Sequence, residues 1–219
     1  MTTLRVLKFG GSSVGASERL VRVTDLIARE LALGPVAVVV SAMGDTTDWL
    51  IDAAHAAERG EQTTAEGLVE RVGQVAVDVG IAALRELLRR PGRDEDIPLP
   101  ELPTQVSELL VPLRQVLAGV GLLRQCSAQT LDLVLSFGER LSAGIVAALL
   151  RVRGQAAVAV DAREWMVTDD RFGDALVDEA ATRARLAALA PTWAPAIAVH
   201  TGFLGATPDG RTTTLGRNG

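Results

Sequence analysis

Lys8-Phe9-Gly10-Gly11-Ser12-Ser13-Val14-Gly15 brings a cation, paired glycines and two hydroxyls into one short stretch. Glycines let a backbone come close to phosphate oxygens with its N–H groups turned inward, and a helix N-terminus behind them adds positive potential. Lys8 adds an ammonium that can reach the same phosphates. The stretch is a candidate anion cradle, and its spacing equally suits an ordinary tight strand-to-helix turn. Two common phosphate loops are excluded. A dinucleotide fingerprint needs G-x-G-x-x-G, and Ser12 stands where its middle glycine would be. A P-loop needs Lys after the second glycine of G-x-x-x-x-G. Gly10 and Gly15 have that spacing, but Ala16 follows.

Three further clusters could meet a ligand. Ser41-Ala42-Met43-Gly44-Asp45-Thr46-Thr47-Asp48 follows an apolar run, and its hydroxyls suit either a substrate pocket or turn and capping chemistry. Asp45 or Thr46 is placed to cap the helix that follows; Asp45, in a loop meant for an anion, is expected to point outward. Ser136-Phe137-Gly138-Glu139-Arg140 lies inside a helical pattern. Gly138 there costs about 1 kcal/mol relative to Ala, so it marks a break or a close approach. Glu139 is either a solvated charge or a carboxylate aimed at a ligand ammonium. Thr213-Thr214-Leu215-Gly216-Arg217-Asn218-Gly219 is a second glycine-rich element. His200, at a strand end, reads as a packed or surface residue, Trp49 as core and His55 as helix surface. No zinc-ligand spacing and no G-x-S-x-G elbow is present.

The elements that must position these groups read as alternating strands and helices. Strands are expected at Leu4–Leu7, 36–40, 156–160 and 196–199. The later three are continuous apolar runs of the kind buried on both faces. Ser17 is a candidate N-cap for a helix bearing Leu20, Val23, Ile27 and Leu31. Helices are also expected from Trp49, over 63–90, over 104–123 with a kink at Pro112 and an interruption near Gly119-Val120-Gly121, over 127–150, and from Asp174 to Ala190. Residues 91–100 form a breaker-rich loop. The alternation implies an α/β fold, a three-layer α/β/α sandwich around a mainly parallel sheet, and ligands of such sheets bind at the strands' C-terminal edge.

Composition narrows the function. Of the 219 residues 48% are hydrophobic, enough for a sizeable core. The net charge of −5, with no basic block, and 3% aromatics argue against nucleic acid. No apolar run reaches about 18 residues, so no membrane span is expected. A single Cys126 excludes an internal disulfide. With no signal-peptide layout at the N-terminus, a cytoplasmic location is expected.

In series, Lys8–Val14, Ser41-Ala42-Met43-Gly44 with Thr47, Ser136-Phe137-Gly138-Glu139, Gly202-Phe203-Leu204-Gly205 and Thr213–Gly219 resemble the successive motifs of the aspartate kinases, in the amino-acid-kinase superfamily. Gly-Arg-Asn-Gly, in place of Gly-Arg-Gly-Gly, resembles the type fused to homoserine dehydrogenase. The resemblance implies transfer of the ATP γ-phosphoryl group to the side-chain carboxylate of L-aspartate, with ATP and Mg²⁺ as cofactors. Lys8 would be catalytic. Lys8, Gly10, Gly11 and Ser12, with Ser13, would hold ATP phosphate. Ser41, Thr47, Glu139 and Arg217 would bind substrate, Glu139 near the ammonium and Arg217 on a carboxylate; no protein metal ligand is implied. Aspartate, with a side-chain pKa of about 3.9, is already ionised at neutral pH, so no general base is needed. Family members continue past the position of Gly219 with a Ser-Asp pair, strands of the nucleotide half and regulatory domains. Residues 1–219 are thus expected to be the amino-acid-binding part, unstable or self-associating and poorly active alone, and the full-length protein a homo-oligomer. A kinase of the same fold acting on another small acid, and a non-catalytic binding or assembly partner, are the alternative readings.

Overall fold

The computed structural model describes residues 4–90 and 100–216. Strand β1 (Arg5–Phe9) leads into a single turn α1 (Gly11–Val14) and helix α2 (Ser17–Leu31). Strand β2 (Val36–Val40) is followed by a run of four helices, α3 (Thr46–Arg59), α4 (Gln62–Leu88), α5 (Leu102–Leu123) and α6 (Ala128–Val152). Strand β3 (Ala157–Val160), a 3-10 turn (Ala162–Glu164), helix α7 (Glu179–Trp193) and strands β4 (Ile197–Thr201), β5 (Leu204–Ala206) and β6 (Thr212–Thr214) complete it. The main sheet has the order β1-β2-β4-β3, all parallel, and β5-β6 is a separate antiparallel hairpin.

The pleat of β2 explains the layering. Val36, Val38 and Val40 are buried on the face packed by α2 and α6, whereas Ala37 and Val39 turn to the other face, where α7 lies. Helices on both sides make the expected α/β/α sandwich. The α7 layer is thin: no α7 residue is fully buried. Between α7 and the sheet runs an apolar groove of about 570 Å³, bordered by Val39, Leu186 and Trp193. Leu4 and Val6 open onto it, 56% and 63% exposed. Within the main sheet the exposed apolar edge is therefore β1, whereas every residue of β4 is buried.

Several local expectations change in the folded chain. The N-cap of α2 is Ala16, without a side-chain cap, and Ser17 is already helical. Asp45 occupies the N-cap of α3, also without a cap bond. α5 passes through Gly119 and Gly121 uninterrupted, and α6 runs unbroken through Gly138. Tertiary packing overrides the weak helix propensity of glycine at these positions. Helix was expected from Asp174, but α7 starts at Glu179. The N–H groups of Ala175 and Asp178 donate instead to Thr214 O and Val167 O, both at 2.9 Å, which holds 175–178 extended. Asp178 then caps α7, accepting from Ala181 N at 2.9 Å. The breaker-rich loop lies, but for Pro100, outside the described residues. Although no continuous apolar run is long, α5 and α6 both have the length and mean hydropathy to cross a membrane. α6, most of it buried, is here the central core helix.

Leu149 of α6 is fully buried and Leu122 of α5 is 87% exposed. Leu149→Ala is expected to cost about 2–5 kcal/mol in chemical denaturation and Leu122→Ala less than about 0.5 kcal/mol. Similar losses at the two positions would mean that α6 is not the core helix.

Candidate active site

Because β1, β2 and β4 are parallel neighbours, the loops that leave them meet at one edge. Their backbones interlock there. Ser41 N donates to Phe9 O at 3.0 Å, Gly44 N to Gly11 O at 3.2 Å, and Gly202 N to Val40 O at 2.8 Å. The first two loops come so close that a Cβ on Gly11 would sit 2.6 Å from Ala42 O. The glycine pair thus serves loop-to-loop contact as well as any approach to a ligand. Gly10 is the N-cap of α1, and the Gly11 and Ser12 amides, first in that turn, have no intrahelical acceptor. Among the described residues neither amide has a hydrogen-bond acceptor, as an anion cradle would require.

Lys8 is the penultimate residue of β1 and is exposed. It is in register with Val39, so its side chain leaves the sheet on the α7 side. Among the described residues it makes no hydrogen bond or ion pair. Ser13 and Ser41 are half-buried, as is Thr47 in the first turn of α3; Ser12 and Asp45 are exposed, the latter as its placement in an anion loop requires.

Glu139 arrives from the opposite face, on α6. It is 4% exposed, and its Oε1 accepts the Ala42 N–H at 3.1 Å. This approach depends on Gly138, where a Cβ would stand 2.8 Å from the Ala42 Cβ. Gly138 marks a close approach, not a helix break. No cation pairs with Glu139 among the described residues. Burial pushes its carboxyl up to about 7, opposed by the Ala42 N–H. The neighbouring Arg140 goes elsewhere, over the Phe137 ring at 4.6 Å and beside Asp161 at 3.5 Å.

Lys8, Gly10, Gly11, Ser12, Ser41, Thr47 and Glu139 therefore share one sheet edge, on loops tied to one another. Arg217 lies outside the described residues. His200 is packed edge-on between Trp165 and Trp193, with centroids 5.4 and 5.1 Å away, and burial lowers its pKa to about 4. It is a neutral core residue. Two features were not anticipated. Phe203, in the loop after β4, has φ 65, an uncommon conformation for an aromatic residue. Asp132 is 1% exposed and hydrogen-bonded to the β6 strand. A lone charge between Leu131 and Leu133 was its visible signal.

The sequence profile of the amino acid kinase family matches residues 3–219. The chain is 36% identical over 218 residues to aspartokinase 1, chloroplastic, of Arabidopsis thaliana, covering 98% of this chain and 36% of that protein. It is 33% identical to lysine-sensitive aspartokinase 3 of Escherichia coli, covering 100% of this chain and 44% of that protein. The crystal structure of E. coli aspartokinase III in complex with aspartate and ADP superposes with a TM-score of 0.78 at 29% identity, covering 99% of this chain and 44% of that one. The chain thus spans less than half the length of these relatives. A bifunctional aspartokinase/homoserine dehydrogenase of Buchnera aphidicola is only 22% identical, so the Gly-Arg-Asn-Gly variant does not single out the fused type.

The raised pKa of Glu139 makes a stability prediction independent of substrate. The fold favours the protonated carboxyl, so this contribution is complete below the ordinary value of 4.5 and is lost as pH rises through about 7. Glu139→Gln is neutral throughout. At pH 8 the variant is expected to be more stable than the wild type by about 1–3 kcal/mol, and the gap should close towards pH 4.5. Urea denaturation at both pH values measures it; a gap that widens on acidification would contradict the burial argument.

Proposed function

The chain belongs to the amino acid kinase family, and on that footing we propose that it is the amino-acid-binding part of the catalytic domain of an aspartate kinase. The reaction moves the γ-phosphoryl group of ATP to the side-chain carboxylate of L-aspartate and yields 4-phospho-L-aspartate. The observation that carries this reading is Glu139: a buried carboxylate that meets no cation among the described residues and accepts the Ala42 N–H beside the glycine turn. A ligand ammonium is the natural partner for it. The relatives, one of them seen with aspartate and ADP, support the same assignment.

The nucleophile needs no deprotonation at neutral pH, so the difficulty is bringing an anion to a polyanion. Positioning and positive charge do the work. Gly10, Gly11, Ser12 and Ser13 present N–H and hydroxyl donors to phosphate, and Lys8 places its ammonium where charge develops. Ser41 and Thr47 offer hydroxyls to aspartate, Glu139 receives its ammonium, and Arg217 clamps a carboxylate with two parallel bonds. Mg²⁺ would neutralise phosphate charge. No step here is routed through the ion. The protein would act in the cytoplasm and, at full length, as a homo-oligomer, with the nucleotide half and regulatory domains supplied by residues beyond these 219.

Aspartate-dependent ADP release by the full gene product, run beside glutamate and other small acids, tests the reading; turnover of a different acid in preference to aspartate would overturn it. Lys8→Ala is expected to lower kcat by about a hundredfold or more with little change in aspartate binding, because its charge acts mainly in the transition state. Near-normal turnover would remove Lys8 from the chemistry. Arg217→Lys keeps the charge but loses the planar fork, so the aspartate KM should rise far more than the ATP KM. The reverse pattern would place Arg217 with the nucleotide.

A further inference from the structure

The carbonyl groups of the glycine turn are held by the rest of the protein. A trans peptide is planar, so its C=O and its N–H point in opposite directions, and a bond that fixes one aims the other. Gly10 O accepts the Ser13 N–H at 2.8 Å, and Gly11 O accepts the Gly44 N–H at 3.2 Å. Those two bonds aim the Gly11 and Ser12 N–H groups the opposite way, where neither has an acceptor among the described residues. The third carbonyl, Ser12 O, is held by a side chain: Arg19 Nη1 donates to it at 2.7 Å. The N–H of that same peptide belongs to Ser13, the donor that closes the turn on Gly10 O.

Arg19 stands where its charge is unfavourable. It lies in the first turn of α2, and the partial positive charge of a helix N-terminus disfavours a cation there. No side-chain cap at Ala16 offsets that. What the position gives is reach: from it the guanidinium meets the carbonyl of Ser12, seven residues earlier. Arg22, one turn further along α2, lines the same open cavity of about 350 Å³ beside Ser12 and Ser13, yet makes no hydrogen bond or ion pair among the described residues. Two arginines therefore bring the same charge close to the turn, and one of them holds it.

We propose that Arg19 is a positioning residue for the phosphate end of the site: by holding Ser12 O it locks the Ser12–Ser13 peptide, and through the Ser13 bond to Gly10 O it keeps the Gly11 and Ser12 N–H groups turned towards the phosphates of the nucleotide. Its role rests on the reading of the glycine turn as a phosphate cradle. Without Arg19 the Ser12–Ser13 peptide is free to rotate, Gly10 O loses its donor, and the Gly11 N–H loses its fixed direction. Preorganised donors stabilise charge because they need not reorient when it arrives. Loosening the turn therefore weakens nucleotide binding, while the Glu139–Ala42 contact at the amino-acid end stays in place.

The test uses the full gene product. Arg19→Ala is expected to raise the ATP KM, and the Kd for ADP in calorimetry, about tenfold, while the aspartate KM stays within about twofold. Arg19→Lys keeps a donor on a long stem and should bring both nucleotide values back to within about threefold of wild type. Arg22→Ala removes the same charge from the same cavity without touching the turn, and should move neither value by more than about twofold. A through-space charge effect is screened by salt, so the Arg19→Ala defect should be equally large at low and high ionic strength. Hydrogen exchange of the Ser13 and Gly44 amides should accelerate in Arg19→Ala, with α6 unchanged. An unchanged Kd for ADP, a defect shared by Arg22→Ala, a defect that fades with salt, or a rise confined to the aspartate KM would overturn the proposal. A wild-type protein that binds no ADP would overturn the cradle, and the role of Arg19 with it. Turnover of another acid in preference to aspartate would overturn the functional reading alone, and the ADP titration would still decide for or against Arg19.

Discussion

The site depends on how closely the Gly11 turn and helix α6 approach Ala42. Its N–H is held by Glu139, its carbonyl oxygen occupies the space a Cβ on Gly11 would need, and its own Cβ occupies the space a Cβ on Gly138 would need. A buried N–H left unpaired costs on the order of 1–3 kcal/mol, so the Glu139 contact also satisfies the loop. Larger residues at Gly11 or Gly138 would push the glycine cradle or α6 away from this loop. The geometry that brings the Gly10-Gly11 turn and a buried carboxylate together is therefore enforced by absent side chains, one on that turn and one on α6.

The same helix face carries two buried carboxylates in opposite situations. Asp132 is met by three donors from β6 and the 173 region; burial raises its pKa, and those bonds pull against the rise. Glu139 accepts the Ala42 N–H from across the site, and burial pushes its carboxyl up to about 7. Among the described residues three donors satisfy Asp132, whereas Glu139 keeps spare acceptor capacity and meets no cation. A group of the second kind costs stability in the empty protein and recovers it on binding a cation, which is the usual signature of a site and not of a core. The contrast comes from the number of donors, since both side chains are acidic and both are buried.

Much of this was legible in the sequence. Continuous apolar runs located β2, β3 and β4 to within a residue or two, because a strand covered on both faces has no polar alternation to obscure it. The cradle, Ser41, Thr47 and Glu139 were legible as motifs, and parallel topology is enough to bring the β1 and β2 loops together. What was not legible was set by long-range contacts. Gly138 was ambiguous between a break and an approach until Ala42 was opposite it. The segment before α7 has helical composition, yet Thr214 O and Val167 O claim its N–H groups from elsewhere in the chain. Asp132 was visible only as an oddity in an apolar helix, because its partners lie 41 and 82 residues away.

Lys8 and Glu139 stand on opposite sides of the sheet's edge, Lys8 leaving with Val39 towards α7 and Glu139 reaching in from α6. Lys8 cannot shift without breaking register, since a one-residue slip of β1 would turn Lys8 and Val6 together to the α6 face and Leu7 to the α7 side. A phosphoryl group held near Lys8 and an ammonium held by Glu139 would thus be separated by a span that the sheet and α6 set jointly. Such a span favours one length of amino acid between the two anchors. Discrimination of this kind needs no additional contact with the substrate, only a frame too rigid to accommodate another length.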